Sequence, residues 1–156
     1  MIPLRFSGTT DVDAPLTDVW LRLTDPHFMA RHAPTSATVR VVDERRFAVT
    51  GGFGAGTMRL EFTIDVEITD LDPPSHLTMK AHGKGFGSAL DVSAALALDP
   101  VNPELTRLDW SAETGVGGPI AGVAAPLMEG IGKKLAEQFW KRVAEAIKGE
   151  VQAANA

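Results

Sequence analysis

Apolar and polar residues alternate at the start of the chain. Ile2, Leu4, Phe6, Gly8 and Val12 fall on even positions, with Arg5, Ser7 and Asp11 between them. A period of two predicts a strand with one buried face. The period then changes: Leu16, Val19, Trp20 and Leu23 recur at i, i+3, i+4 and i+7, one apolar face of a helix, with Pro15 suited to its first turn. "DPHF" predicts a second short helix, capped by Asp25, opened by Pro26 and ended by Pro34.

The middle of the chain reads as strands joined by hairpins. Met58, Leu60, Phe62, Ile64, Val66 and Ile68 give the clearest alternation. Leu77, Met79 and Ala81 mark the next strand, Leu90 to Leu98 another, and Leu108, Trp110, Ala112 and Val116 the last. Turns are predicted at 43–45, 51–56, 70–75, 83–87 and 99–104, where Asp, Pro and Gly gather. A long helix follows. Its apolar stripe runs from Ile120 to Ile147, Pro126 predicts a kink, and Gly149 predicts a stop. Residues 1–149 then form one domain and residues 150–156 a tail.

This order predicts an α+β fold: a curved, seven-stranded antiparallel sheet around a long C-terminal helix, with two short helices after the first strand. Small residues face inward at Ala81, Ala94, Ala112, Gly122 and Gly130. They leave two readings open: a cavity between sheet and helix, or simply close packing of the two.

Composition narrows the function classes. The chain has 156 residues, 44% of them hydrophobic and 22% charged, as expected for one globular domain. A net charge of −5 argues against a nucleic-acid partner and against docking on anionic lipid by charge. The absence of cysteine excludes disulfides, thiolate metal sites and a cysteine nucleophile, and is consistent with a cytoplasmic, reducing compartment. "MIPLRFSG" lacks the apolar core of a signal peptide, and no apolar run is long enough to span a bilayer.

Candidate chemistry is sparse. His27 and His32 are five apart, not the four that would share a helix face, and no nearby carboxylate completes a ligand set, so no metal site is predicted. His76 and His82 fall in a turn and on an outward strand face. "GGFGAG" and "GKGFG" join strand to strand and read as hairpin turns, whereas phosphate loops lead into a helix. "VGGPIAG" does open a helix but is not followed by the Lys and Ser/Thr of a nucleotide site. With no nucleophile elbow and no inward acid–base pair, no catalytic residue and no cofactor are predicted.

Three stretches carry a family resemblance: "APLTDVWLRLTDP", "LDPPSHLTMKAHGKGFGSA" and "GVGGPIAGVAAPLMEGIGKKLAEQFW". With the strands between them they cover nearly the whole chain, which resembles the CoxG family of carbon monoxide dehydrogenase subunits, within the START-like, polyketide-cyclase (SRPBCC) superfamily. The family's Cys-aliphatic-Pro-Gly after the second helix is "HAPTS" here. The superfamily implies a helix-grip fold with a ligand cavity between sheet and C-terminal helix. The family implies association with a molybdenum hydroxylase, membrane recruitment and handling of a quinone.

On that basis the sheet is expected to contribute Met58, Leu60, Phe62, Met79 and Trp110 to the cavity wall. The long helix contributes Met128, Ile131 and Leu135, and the short helices Trp20 and Phe28. In a run of hairpins alternate turns share one end of the sheet. The glycine-rich turns therefore lie together, with Phe53, Phe86 and Ile120 near their tips, and that end is expected to be the cavity mouth. The leading expectation is a non-enzymatic carrier of a quinone- or lipid-like molecule, an accessory subunit of the hydroxylase with peripheral contact at the inner membrane. A cyclase or hydrolase using the same cavity, or an assembly adaptor, is the alternative.

Overall fold

The computed structural model describes residues 2–32, 37–55, 58–85, 88–117 and 121–155. Strand β1 (Ile2–Val12) is followed by helices α1 (Leu16–Leu23) and α2 (Pro26–Arg31). Six strands succeed one another: β2 (Ala37–Asp43), β3 (Arg46–Ala55), β4 (Met58–Asp72), β5 (His76–Gly85), β6 (Ser88–Asn102) and β7 (Leu105–Gly117). Helix α3 (Ala121–Ala154) closes the chain. The strands form one antiparallel sheet in the order β1-β7-β6-β5-β4-β3-β2, so every connection between consecutive strands from β2 to β7 is a hairpin and β1 caps the far edge. The sheet is curved around α3, the predicted α+β helix grip.

Complementary pairs on the polar face reinforce the β1–β7 register. Arg5 meets Glu113 at 3.3 Å, Thr9 donates to Asp109 at 2.7 Å, and Arg107 reaches Asp11 at 2.9 Å, each directly across the strand pair. The Arg107 guanidinium holds the Asp11 carboxyl below its ordinary range. The inward face carries Val12, Leu108 and Trp110, all buried.

The helices form where their periodicity predicts, with different ends. Pro15 stands at the cap of α1, one position before its first turn. A buried Thr106 hydroxyl donates to the Ala14 carbonyl at 2.9 Å, tying that entry to β7. Asp25 caps α2 by accepting from the His27 amide at 2.9 Å. Helix α2 ends at Arg31, before the expected Pro34, which lies outside the described residues. Helix α3 passes through Gly149, where a stop is expected, and runs to Ala154. The reason is packing: Val143, Ile147 and Val151 repeat every four residues and all are buried in the core, so the tail's first turn is held against the sheet.

Strands are also longer than predicted. Asp70 lies inside β4 and Asp99 and Pro100 inside β6, leaving turns of two or three residues. A register shift between Pro100 and Asn102 accommodates the proline. The tight turns are closed by side chains: Asp43 accepts from the Arg45 amide at 2.9 Å and Asn102 from the Glu104 amide at 2.8 Å.

One close approach constrains the core. Gly8 faces Trp110 across β1 and β7, and a Cβ at Gly8 would stand 2.6 Å from the indole Cζ2. In open strand Gly→Ala stabilises by about 0.4–1 kcal/mol. Here Gly8→Ala is expected to destabilise by about 1–3 kcal/mol in chemical denaturation, because the ring must move. In a Trp110→Leu background the same change should cost nothing, a coupling that a double-mutant cycle reads directly.

Candidate functional site

A cavity of about 360 Å³ lies between the inward face of the sheet, α1–α2 and α3. Alternation along each strand builds its floor: Ile64 and Val66 on β4, Met79 and Ala81 on β5, Val92 and Ala94 on β6. Trp110 and Ala112 of β7 continue it. Leu23, Thr24, Pro26 and Met29 wall one side where α1 gives way to α2. Phe139 and Trp140 come down from α3. Of the inward small residues, Ala81, Ala94 and Ala112 line this space. The sheet therefore leaves room where a larger side chain would have filled it.

An aromatic cluster edges the cavity. Trp110 stacks on Trp140 with ring centres 6.3 Å apart and planes 26° apart, and Phe139 meets Trp140 edge-on at 5.1 Å. Met79 and Trp110 thus stand in the wall. Trp20 and Phe28 are buried in the apolar core shared by α1, α2 and the sheet, and neither is among the described lining residues. Phe28 is covered by its own helix, with His32 stacked at 4.7 Å and the Arg31 guanidinium 5.7 Å from its ring centre. The side chains of Met58, Leu60, Phe62, Met128, Ile131, Leu135 and Phe53 lie outside the described residues, as do Phe86 and Ile120 altogether.

Sequence reasoning missed Phe47, Val49, Phe139 and Trp140 as wall, although Phe139 belongs to the predicted stripe. Trp140 was legible in principle: Ala136, Trp140, Val143 and Ile147 share one helix face with the buried end of α3.

None of the described lining residues is ionisable. Charged groups gather instead on the outer face, where His82 and Asp91 pair across β5 and β6 at 2.6 Å and both remain about half exposed. His27 is exposed on α2. No cluster of three or more His, Asp or Glu able to hold a metal ion occurs among the described residues. No helix among them is long and apolar enough to cross a membrane.

Solved structures share this architecture. A conserved protein from Geobacillus kaustophilus superposes with a TM-score of 0.80 at 23% identity, over 92% of this chain and 95% of that one. A START superfamily protein from Mycobacterium smegmatis gives 0.68 at 15% identity, over 96% and 98%. The Zhui aromatase/cyclase from a Streptomyces species gives 0.68 at 16% identity, over 99% and 97%. At these identities the likeness is one of fold, and the fold is START-like. Comparison with curated proteins gave no match. The sequence profile of CoxG, a family of carbon monoxide dehydrogenase subunits, matches residues 8–148, and the chain belongs to that family.

Whether the alanines hold space open or merely allow contact is decided by filling it. Ala94→Leu should leave stability unchanged or raise it, as cavity filling does. A loss of about 1–3 kcal/mol in urea denaturation is the signature of a site already full.

Proposed function

We propose that the protein is a non-enzymatic carrier of a hydrophobic small molecule, quinone- or lipid-like, serving a carbon monoxide dehydrogenase-type molybdenum hydroxylase as an accessory, membrane-recruited subunit. The observation that carries the reading is the cavity itself: about 360 Å³ bounded almost wholly by apolar side chains. Its volume is in the range of small-molecule sites. Binding there is driven by burial, about 2.5 kcal/mol for each 100 Å² of apolar surface removed from water, less the cost of ordering the ligand. General acid–base chemistry needs a titratable group beside the substrate. The described wall offers none, which favours a carrier over a cyclase or hydrolase. Family membership supports the partner, and the glycine-rich turns supply an end of the sheet through which ligand passes.

Native mass spectrometry of the purified protein, followed by organic extraction, tests the reading. An apolar molecule should co-purify in the wild type. It should be absent from Ala94→Trp while the far-ultraviolet circular dichroism stays unchanged. A wild-type protein that carries nothing and takes up neither a short-chain quinone nor a fatty acid refutes a carrier and leaves the adaptor. The mouth has its own test: Phe53→Ser with Phe86→Ser should slow ligand uptake from liposomes with little change in melting temperature, and an unchanged rate rules that end out.

A further inference from the structure

The cavity is apolar, but one ring on its wall carries an unused donor. Trp110 is 4% exposed, and its indole Nε1 is buried with no hydrogen-bond partner. Buried donors are nearly always paired, so an orphan calls for an account. Rotation cannot rescue this one. One side of the indole lies against Gly8, so close that a Cβ there would be 3.2 Å from Nε1, and Trp140 stacks on the ring. The N–H is therefore held in a fixed place on a ring that borders the cavity.

We propose that Trp110 Nε1–H is the polar anchor of the cavity and donates to an oxygen of the bound molecule. This rests on reading the cavity as a ligand site and defines the ligand further: an apolar ring or chain bearing a neutral acceptor, such as a carbonyl, ether or ester oxygen. A pure hydrocarbon would leave the donor unpaired. A carboxylate would enter a wall with no cation among its described residues and would pay to lose its water there. The anchor also sets orientation, since apolar burial has no direction and one hydrogen bond does. Because donor and ring are already immobile in the free protein, the bond forms without further ordering of the side chain.

Two probes of one carbon skeleton separate anchor from cavity: 1,4-naphthoquinone, which has two carbonyls, and naphthalene, which has none. Binding of each is measured by calorimetry to wild type and to Trp110→Phe, which keeps an aromatic ring and removes the N–H. Naphthoquinone should bind Trp110→Phe about three- to tenfold more weakly, the worth of one neutral hydrogen bond, while naphthalene changes less than about twofold. In nitrogen-15-labelled wild type the Trp110 indole proton should move downfield with naphthoquinone and not with naphthalene. That second measurement needs no variant and stands even if Trp110→Phe misfolds. Equal weakening of both probes, or an indole resonance that responds to both alike, overturns the anchor and leaves the cavity as a binding site. Failure of the wild type to bind either probe overturns the cavity reading and the anchor with it.

Discussion

The architecture depends on how the last turns of α3 are clamped. Val143, Ile147 and Val151 lie one above another on a single face and are almost fully withdrawn from water. They meet Val12 at the end of β1, Val19 and Leu23 on α1, and Leu108 on β7 within one core cluster. Each such side chain contributes about 1.5–3 kcal/mol on burial. Arg22 adds a link from α1 to Glu150 at 3.7 Å, a contact half in water and worth little by itself. With that end fixed, the sheet can curve around the helix and part from it further along, and the cavity occupies the parting.

Holding space open inside a protein is costly. On a scale of about 24 cal/mol per Å³, a sealed dry void of this size would cost about 9 kcal/mol, comparable with the net stability of about 5–15 kcal/mol of a whole domain. Such a volume does not persist as an accident of packing. The chain keeps it with small side chains on the floor and stiff aromatic ones at the edge. Ala81, Ala94 and Ala112 cannot reach across, and Trp110, wedged between Gly8 and Trp140, cannot fall in.

Periodicity made the elements and their order legible because one face of each is buried, and burial writes itself into the spacing of Val, Ile and Leu. Element ends were less so. Gly149 reads as a stop, yet a Cβ there would touch nothing within 4 Å and the following Val151 reaches the core. Tertiary burial extends the helix past a residue of poor propensity. Asp99 and Pro100 read as a turn because the bulge that admits a proline to a strand has no local signature. The cavity was legible only as two open readings, since inward alanines serve a void and a tight contact equally. Only the path of α3 relative to the sheet separates them. Trp140 was overlooked for the same reason: its own helix does not reveal that it stacks on a tryptophan thirty positions earlier.

The polar side of the molecule and its apolar interior do different work. On the outer face cross-strand partners neutralise one another, as Arg5 does Glu113, Arg107 does Asp11 and His82 does Asp91. These pairs are exposed enough for water to screen them, so they fix register more than they add stability. Inside, a charge could not be screened, and the described wall carries none. What remains there is a single kind of polarity, the neutral N–H of indole. A neutral donor costs far less to bury than a charge, and left unpaired it discriminates between ligands that differ by one oxygen. Selectivity in such a cavity comes less from shape than from which molecule satisfies that donor.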